Sequence, residues 1–298
     1  MKKVLFIFFI LLFKAYSQEY VYGNVLQLPS HMYAVVVSKS YQKMLVVQME
    51  DGYPVVVNQF LAVTGVRFGD KEKQGDMRTP SGVYFPVEFK PDRLLPSYYG
   101  AGAYVLNYPN AFDRFVIKRD GDGIWIHGSK EEKPLFFSSK GCVILNNSSF
   151  KKLFSYIKVG KTPVIIQERF VKLSIDEFLA LKKKINSFVD RYLQAVISVY
   201  KGDTTSLLDL YSQNFSSEEG TVYDIMKSYK KLFFSYGETP FVRDVNRMIL
   251  YDRREEKEFF TVYLNLGFLS GDEIKTVKKV LYITVEDRKL KIVSEENF

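Results

Sequence analysis

Cys142, in SSKGCVIL, lies fifteen positions after His127, in the stretch GIWIHGS; the 298-residue chain has no other cysteine and one other histidine, His31. A thiol becomes a nucleophile when a base removes its proton or a cation holds the thiolate, and an imidazole can do either. Gly141, directly before the cysteine, lets the backbone turn sharply so that neighbouring N–H groups can aim at an oxyanion. The pattern is that of a thiol nucleophile, Cys142, paired with His127 as its base or its cation. An imidazolium beside the thiol would lower its pKa, so losing His127 is expected to slow thiol alkylation near neutral pH. Composition leaves a second role open for Cys142, that of a buried small hydrophobe. His31, on the approach to the first strand, reads as incidental.

The elements around these residues are short. From Met32 to Ile166 the chain reads as strands: YAVVVSKS, KMLVVQME, YPVVVNQFLAV, GVYFPVEF, AYVLNY, RFVIKR and GIWIHG. Turn residues such as Asp51-Gly52, Thr79-Pro80-Ser81-Gly82 and Asp120-Gly121-Asp122-Gly123 divide them. This predicts an all-β catalytic domain, a sandwich or barrel with short helices. NSSFKKLFSYI predicts one such helix with a serine cap, and TPVIIQE a closing strand. The rhythm changes after Lys172. Ser174 and Glu177 fit a capping box, and Phe178, Leu181, Ile185, Phe188, Val189, Tyr192, Val196 and Val199 recur at helical spacing until Gly202. Two shorter helical stretches, TSLLDLYS and TVYDIMKSYKKLFFSYG, precede four strand-like runs, FVRDVNRMILYD, EFFTVYLNLGFLS, IKTVKKVLYITVED and RKLKIVSE. Helices followed by antiparallel strands predict an α+β domain. The expected organisation is an N-terminal leader over 1–17, an N-terminal segment over 18–32, a catalytic domain over 33–168 and a second domain over 175–298. The change of period predicts that 175–298 folds separately and that a chain ending near Lys172 stands alone.

Lys2 and Lys3, the apolar run Val4–Phe13 and the small residues of Ala15-Tyr16-Ser17 have the layout of a secretory signal peptide. The run is too short to span a bilayer, which takes about 20 residues. The expected location is exported, in the periplasm or cell envelope. A lone cysteine forms no internal disulfide, so stability rests on packed cores. The formal charge of +8 includes three lysines of the leader, Lys2, Lys3 and Lys14. Residues 175–298 are close to neutral, with 19 Lys and Arg against 20 Asp and Glu, so the basic excess lies on the half that carries Cys142. It could attract an anionic polymer, but export argues against nucleic acid.

IHGS…SSKGCVIL resembles the active-site signature of the L,D-transpeptidase (YkuD-type) family. Two further stretches resemble the family's segments in the family's order: TGVRFGDKEKQGDMRTPSGVYF, at Gly75, Asp76, Thr79, Pro80, Gly82 and Tyr84, and NYPNAFDR, at Tyr108, Pro109, Asn110 and Asp113. The resemblance spans roughly residues 33–167. It implies attack by Cys142 on the bond between the third-position diamino acid and D-alanine of a peptidoglycan stem peptide. It also implies that the backbone carbonyl of Gly128 orients His127. The N–H groups of Lys140, Gly141 and Cys142 would form the oxyanion hole, and Ser139 would line the site. No metal or organic cofactor is implied. Arg78, Tyr108 and Arg114 are candidates for substrate binding, although the Thr-Pro-x-Gly and Tyr-Pro-Asn stretches are also turn formulas with a scaffolding role. Many members carry His or Thr at the position of Lys140, and Arg or Asn at that of Ile144. The order of elements after Ser174 resembles an NTF2-like domain, used for ligand binding, wall attachment or homodimer formation. The pairing of the two resembles cell-shape L,D-carboxypeptidases that trim tetrapeptides to tripeptides. The acceptor of the acyl group is expected to be an amine, with water as the alternative; a wall-binding module without chemistry is the third reading.

Overall fold

The computed structural model describes residues 20–236, 243–244, 246–254, 257–270 and 273–297; the leader expected over 1–17 lies outside them. Tyr33–Ser38 is the middle strand of a five-stranded sheet. Lys43–Glu50 and then Tyr53–Leu61 pair antiparallel on one side, and Val164–Gln167 pairs parallel on the other, followed by Gly82–Tyr84. YAVVVS shows no polar alternation because both faces of this sheet are covered. Val35, Val37, Met44, Val46 and Phe60 face one core, while Ala34, Val36, Leu45 and Val47 face a second. The first core is closed by a four-stranded sheet in the order Val143–Ile144, Trp125–His127, Gly102–Leu106, Pro86–Pro91. Tyr104, Ile126, Val143 and Leu145 enter it from that sheet, joined by Phe150 of the helix Asn147–Lys152.

Local chemistry overrides the sequence expectation at three places. The cap of the 147–152 helix is Asn146, whose side chain accepts from Ser149 N, not a serine. GVYFPVEF is two strands, Gly82–Tyr84 and Pro86–Pro91, in different sheets. RFVIKR is not a strand: Phe112–Ile117 forms a π-helical turn. Its start is set by reciprocal bonds, Asp113 N to Asn110 Oδ1 at 3.0 Å and Asn110 N to Asp113 Oδ2 at 3.3 Å. An Asn three residues before an Asp satisfies the free N–H groups of a first turn, which outweighs the β-branched composition that follows.

The second domain wraps the long helix Ile175–Tyr200 against an antiparallel sheet. The Ser174–Glu177 capping box is formed, and Phe178, Ile185, Phe188, Val189, Tyr192, Val196 and Val199 are buried along one stripe. Thr205–Leu208 and Val222–Tyr236 are the shorter helices. The sheet runs Lys289–Asn297, Glu273–Glu286, Lys257–Ser270, Met248–Arg254, with Arg243–Asp244 also on Lys257–Ser270. Its last strand is Val25–Gln27, from the N-terminal segment, which pairs with Met248–Arg254. Residues 18–32 therefore do not form a mere approach to the catalytic domain. Val21–Tyr22 also pairs with Lys172–Leu173, at the junction of the two domains.

The expectation of separate folding is corrected by the second core, which is common to both domains. It joins Ala34, Val36, Leu45, Val47, Phe85, Phe112 and Ile165 to Phe188, Tyr192, Phe260 and Tyr282. The Phe85 and Tyr263 rings meet with centroids 4.3 Å apart, and Phe112 lies 5.3 Å from Phe259. Each buried apolar side chain contributes about 1.5–3 kcal/mol. Uncovering the seven from the catalytic side costs roughly 10–20 kcal/mol, as much as a whole domain's stability. A chain ending at Lys172 is expected to aggregate or stay unfolded, which size-exclusion chromatography and circular dichroism would show; a soluble monomer with native-like thermal unfolding would refute the shared core.

Candidate active site

His127 ends the strand Trp125–His127, and Cys142 immediately precedes the strand Val143–Ile144. The two strands are parallel, with Val143 opposite Ile126 and Ile144 opposite His127. Cys142 thus falls opposite Trp125, and side-chain alternation puts it on the same face as His127. One strand spacing across and two residues along give roughly 8 Å between their Cα atoms, a gap that the two side chains span when turned toward each other. The His127 Nδ1 lies 2.7 Å from the Gly128 carbonyl oxygen. A carbonyl only accepts, so Nδ1 carries the proton and Nε2 keeps a lone pair for the thiol. Tyr99 sets the ring's other face, edge-on at 4.9 Å.

The thiol is half-buried and donates to the Gly123 carbonyl at 3.4 Å. Burial raises its pKa, against smaller lowering by the Trp125 N–H and the Lys71 charge. Burial lowers the pKa of His127, partly offset by the Gly128 carbonyl. Both shifts favour neutral forms, so the resting site holds a thiol and a neutral imidazole. Desolvation of both partners works against the imidazolium–thiolate pair on which the expected slowing of alkylation rests.

The turn before the nucleophile is braced from two sides. Ser139 Oγ donates to the Cys142 carbonyl at 2.6 Å and accepts from Gly141 N at 3.0 Å. Gly141 N–H is therefore occupied and does not join the expected oxyanion hole. The Lys140 and Cys142 N–H groups have no protein acceptor among the described residues. Gly141 has φ +130°, and a Cβ there would lie 2.9 Å from the Arg78 carbonyl oxygen, so only glycine fits. Thr79 Oγ1 donates to the Gly141 carbonyl at 2.9 Å and accepts from Gly65 N at 2.8 Å. The Thr-Pro-x-Gly stretch thus buttresses the nucleophile turn.

The substrate-binding candidates separate. Arg78 lies beside the turn through its carbonyl, and its guanidinium pairs with Glu72 at 2.5 Å and bonds the Asp70 carbonyl at 3.2 Å. Tyr108 is buried, with its hydroxyl donating to the Asp120 carbonyl at 3.1 Å, so it packs the core instead of lining a cleft. Arg114 reaches the second domain, pairing with Glu218 at 3.3 Å. Lys140 is exposed. Ile144 is half-buried, its backbone paired with Val63 in both directions at 2.8 Å. Sequence reading missed Tyr99 and Trp125, whose rings meet at a tilt 5.0 Å apart beside His127, and Asn147, whose Oδ1 accepts from Ala101 N at 2.7 Å to fix the Tyr99 turn. It also missed Lys71, a buried cation held by Asp76 at 2.7 Å. The Tyr98-Tyr99-Gly100 stretch before a strand was the one available signal.

A strand-end imidazole held by its neighbour's carbonyl, on the same strand face as a half-buried thiol on a glycine turn, is an arrangement that can carry out cysteine acyl transfer in a β fold. Residues 32–166 match the family model of the L,D-transpeptidase catalytic domain, YkuD. Residues 197–296 match that of the Cds6 C-terminal NTF2-like domain. The chain therefore carries a YkuD L,D-transpeptidase catalytic domain joined to an NTF2-like domain. Among solved structures it is similar to Bdellovibrio bacteriovorus Bd1075, at 26% identity and a TM-score of 0.75, over 93% of this chain and 98% of that one. It shares its fold with Campylobacter jejuni Pgp2, described as a helical cell shape determining protein, at 22% identity and a TM-score of 0.73, over 93% and 95% of the two chains. A search of curated proteins gives no significant match.

Proposed function

We propose that the protein is an exported cysteine L,D-carboxypeptidase that trims peptidoglycan stem tetrapeptides to tripeptides. The observation that carries the chemistry is the Cys142 thiol on a braced turn, on the same strand face as His127 with its free Nε2. His127 Nε2 takes the thiol proton as Sγ attacks the carbonyl carbon of the third residue. The Lys140 and Cys142 N–H groups are left open to donate to the developing oxyanion. The C–N bond then breaks, and His127 returns the proton to the departing D-alanine amine. Water, deprotonated by His127, attacks the thioester; the C–S bond breaks, His127 returns that proton to Sγ, and the tripeptide leaves with a new carboxylate.

Water as acceptor is supported by two features. Ile144 offers no polar group beside the nucleophile for placing an amine, and the two-domain arrangement is shared with a cell-shape protein. Transfer to an amine, giving a 3–3 cross-link, is the second reading, since one thioester serves both outcomes. The leader residues Lys2, Lys3 and Val4–Phe13 support export to the periplasm or cell envelope. The test is mass spectrometry of tetrapeptide muropeptides incubated with the protein. Tripeptide without 3–3 dimer at every acceptor concentration is expected; dimer that rises with acceptor would establish transfer instead.

A further inference from the structure

Asp70 opens the loop that ends at Thr79, and the loop's two ends are clamped together. Lys39 Nζ donates to the Gly69 carbonyl at 2.8 Å and the Thr79 carbonyl at 3.2 Å. Asp70 Oδ1 accepts from Lys71 N at 2.9 Å and Ser81 N at 2.6 Å. Its Oδ2 pairs with the buried Arg119, which continues to Asp113 at 3.1 Å. The same oxygen faces Arg254 Nη1 at 3.7 Å, from the NTF2-like domain. Arg254 is itself fixed: its Nε meets Asp252 Oδ2 at 2.5 Å, and its guanidinium lies over the Phe112 and Phe259 rings at 5.2 and 5.4 Å.

The loop's other contacts reach the nucleophile. Arg78 O abuts Gly141, Thr79 Oγ1 bonds the Gly141 carbonyl, and the Lys71 charge acts on the thiol. A two-domain chain of contacts therefore runs from a strand end of the second domain to the reacting sulfur. We propose that Arg254 is a positioning residue for catalysis: by its charge contact with Asp70, beside that of Arg119, it helps fix the 69–79 loop, and through that loop the Gly141–Cys142 turn. The proposal rests on Cys142 as the nucleophile. It gives the second domain a part in the chemical step of the first.

Arg254→Gln alone would strand the buried Asp252 carboxylate, and removing one partner of a buried pair is strongly destabilising. The variant to use is therefore Asp252→Asn with Arg254→Gln, in the full chain. Tetrapeptide turnover and iodoacetamide alkylation of Cys142 are measured beside thermal unfolding; alkylation reports on the turn without any peptidoglycan substrate, so it decides the matter even if the parent trims no stem peptide. Misplacing a reacting group by an ångström costs up to about a hundredfold. The double variant is expected to lose about ten- to a hundredfold in kcat with KM little changed, and to alkylate severalfold more slowly as Lys71 moves from the thiol. Arg254→Lys keeps the charge without the planar fork and should fall between. Lys182→Met removes another interdomain bond, Lys182 Nζ to the Gly52 carbonyl at 2.9 Å, and should leave both rates at the parental level. A folded double variant with parental kcat and alkylation would overturn the proposal, as would equal losses in Lys182→Met. Should the double variant not fold, parental rates in Arg254→Lys would overturn it.

Discussion

Cys142→Ala is expected to abolish D-alanine release from tetrapeptide muropeptides while thermal unfolding stays close to that of the parent. Loss of a nucleophile that works with a base removes most of the rate enhancement at once, commonly a factor of 10³ or more. The structural cost is small because the sulfur is half-buried and its hydrogen bonds, to the Gly123 carbonyl at 3.4 Å and from the Trp125 N–H, are weak sulfur bonds. Substitutions away from tightly packed or unsatisfied sites usually shift stability by about 0.5 kcal/mol or less. The turn does not depend on the thiol: Ser139 holds the Cys142 carbonyl and Thr79 holds that of Gly141. Intact-mass spectrometry supplies a second readout, since a stem-peptide acyl adduct should appear on the parent and not on the Ala variant. Release of D-alanine by Cys142→Ala at the parental rate would remove Cys142 from the mechanism.

Residue type picked out the candidate pair: one thiol and one strand-end histidine left few alternatives, and Gly141 announced a turn that no side chain tolerates. Sequence reading could not say which N–H groups that turn leaves open. This depends on a single rotamer, Ser139 Oγ accepting from Gly141 N. Alternation likewise located the strands but not their partners. YAVVVS reads as buried, yet only the tertiary structure reveals that its second face belongs to the same core as Phe188 and Phe260, across a domain boundary. The Ser174 boundary was legible because the period changes there, whereas domain independence was not, because shared burial leaves no mark on periodicity. Val25–Gln27 is too short to announce its distant partner, Met248–Arg254. Charges behaved similarly. Lys71 and Arg119 look like ordinary surface residues in sequence, and become buried only because Asp76, Asp70 and Asp113 converge on them.

His127→Ala is expected to lower kcat/KM by about 10²–10⁴, the usual contribution of a general base, and to change the form of the pH profile. In the folded protein burial depresses the histidine pKa, so the imidazole is neutral and basic at pH 7 and becomes protonated only as pH falls through its lowered value. Activity should therefore hold through neutrality and fail on the acid side below the usual histidine range. The Cys142 thiol moves the other way, above 9.0, so it stays protonated and available to hand its proton to Nε2 across the same interval. Removing the imidazole should erase the acid limb and leave a weak activity that climbs with pH as thiolate forms unaided. Alkylation separates this arrangement from a preformed ion pair. With a neutral pair, the parental iodoacetamide rate is low near pH 7 and rises about tenfold per pH unit until the thiol ionises, as thiolate is the reactive form. His127→Ala should scarcely alter that curve, since there is no imidazolium to lose. A parental rate already level between about pH 6 and pH 8, and lowered by His127→Ala, would show that His127 holds a thiolate at rest. Desolvation would then have been overcome by an attraction that the resting geometry, with the thiol turned to Gly123, does not contain.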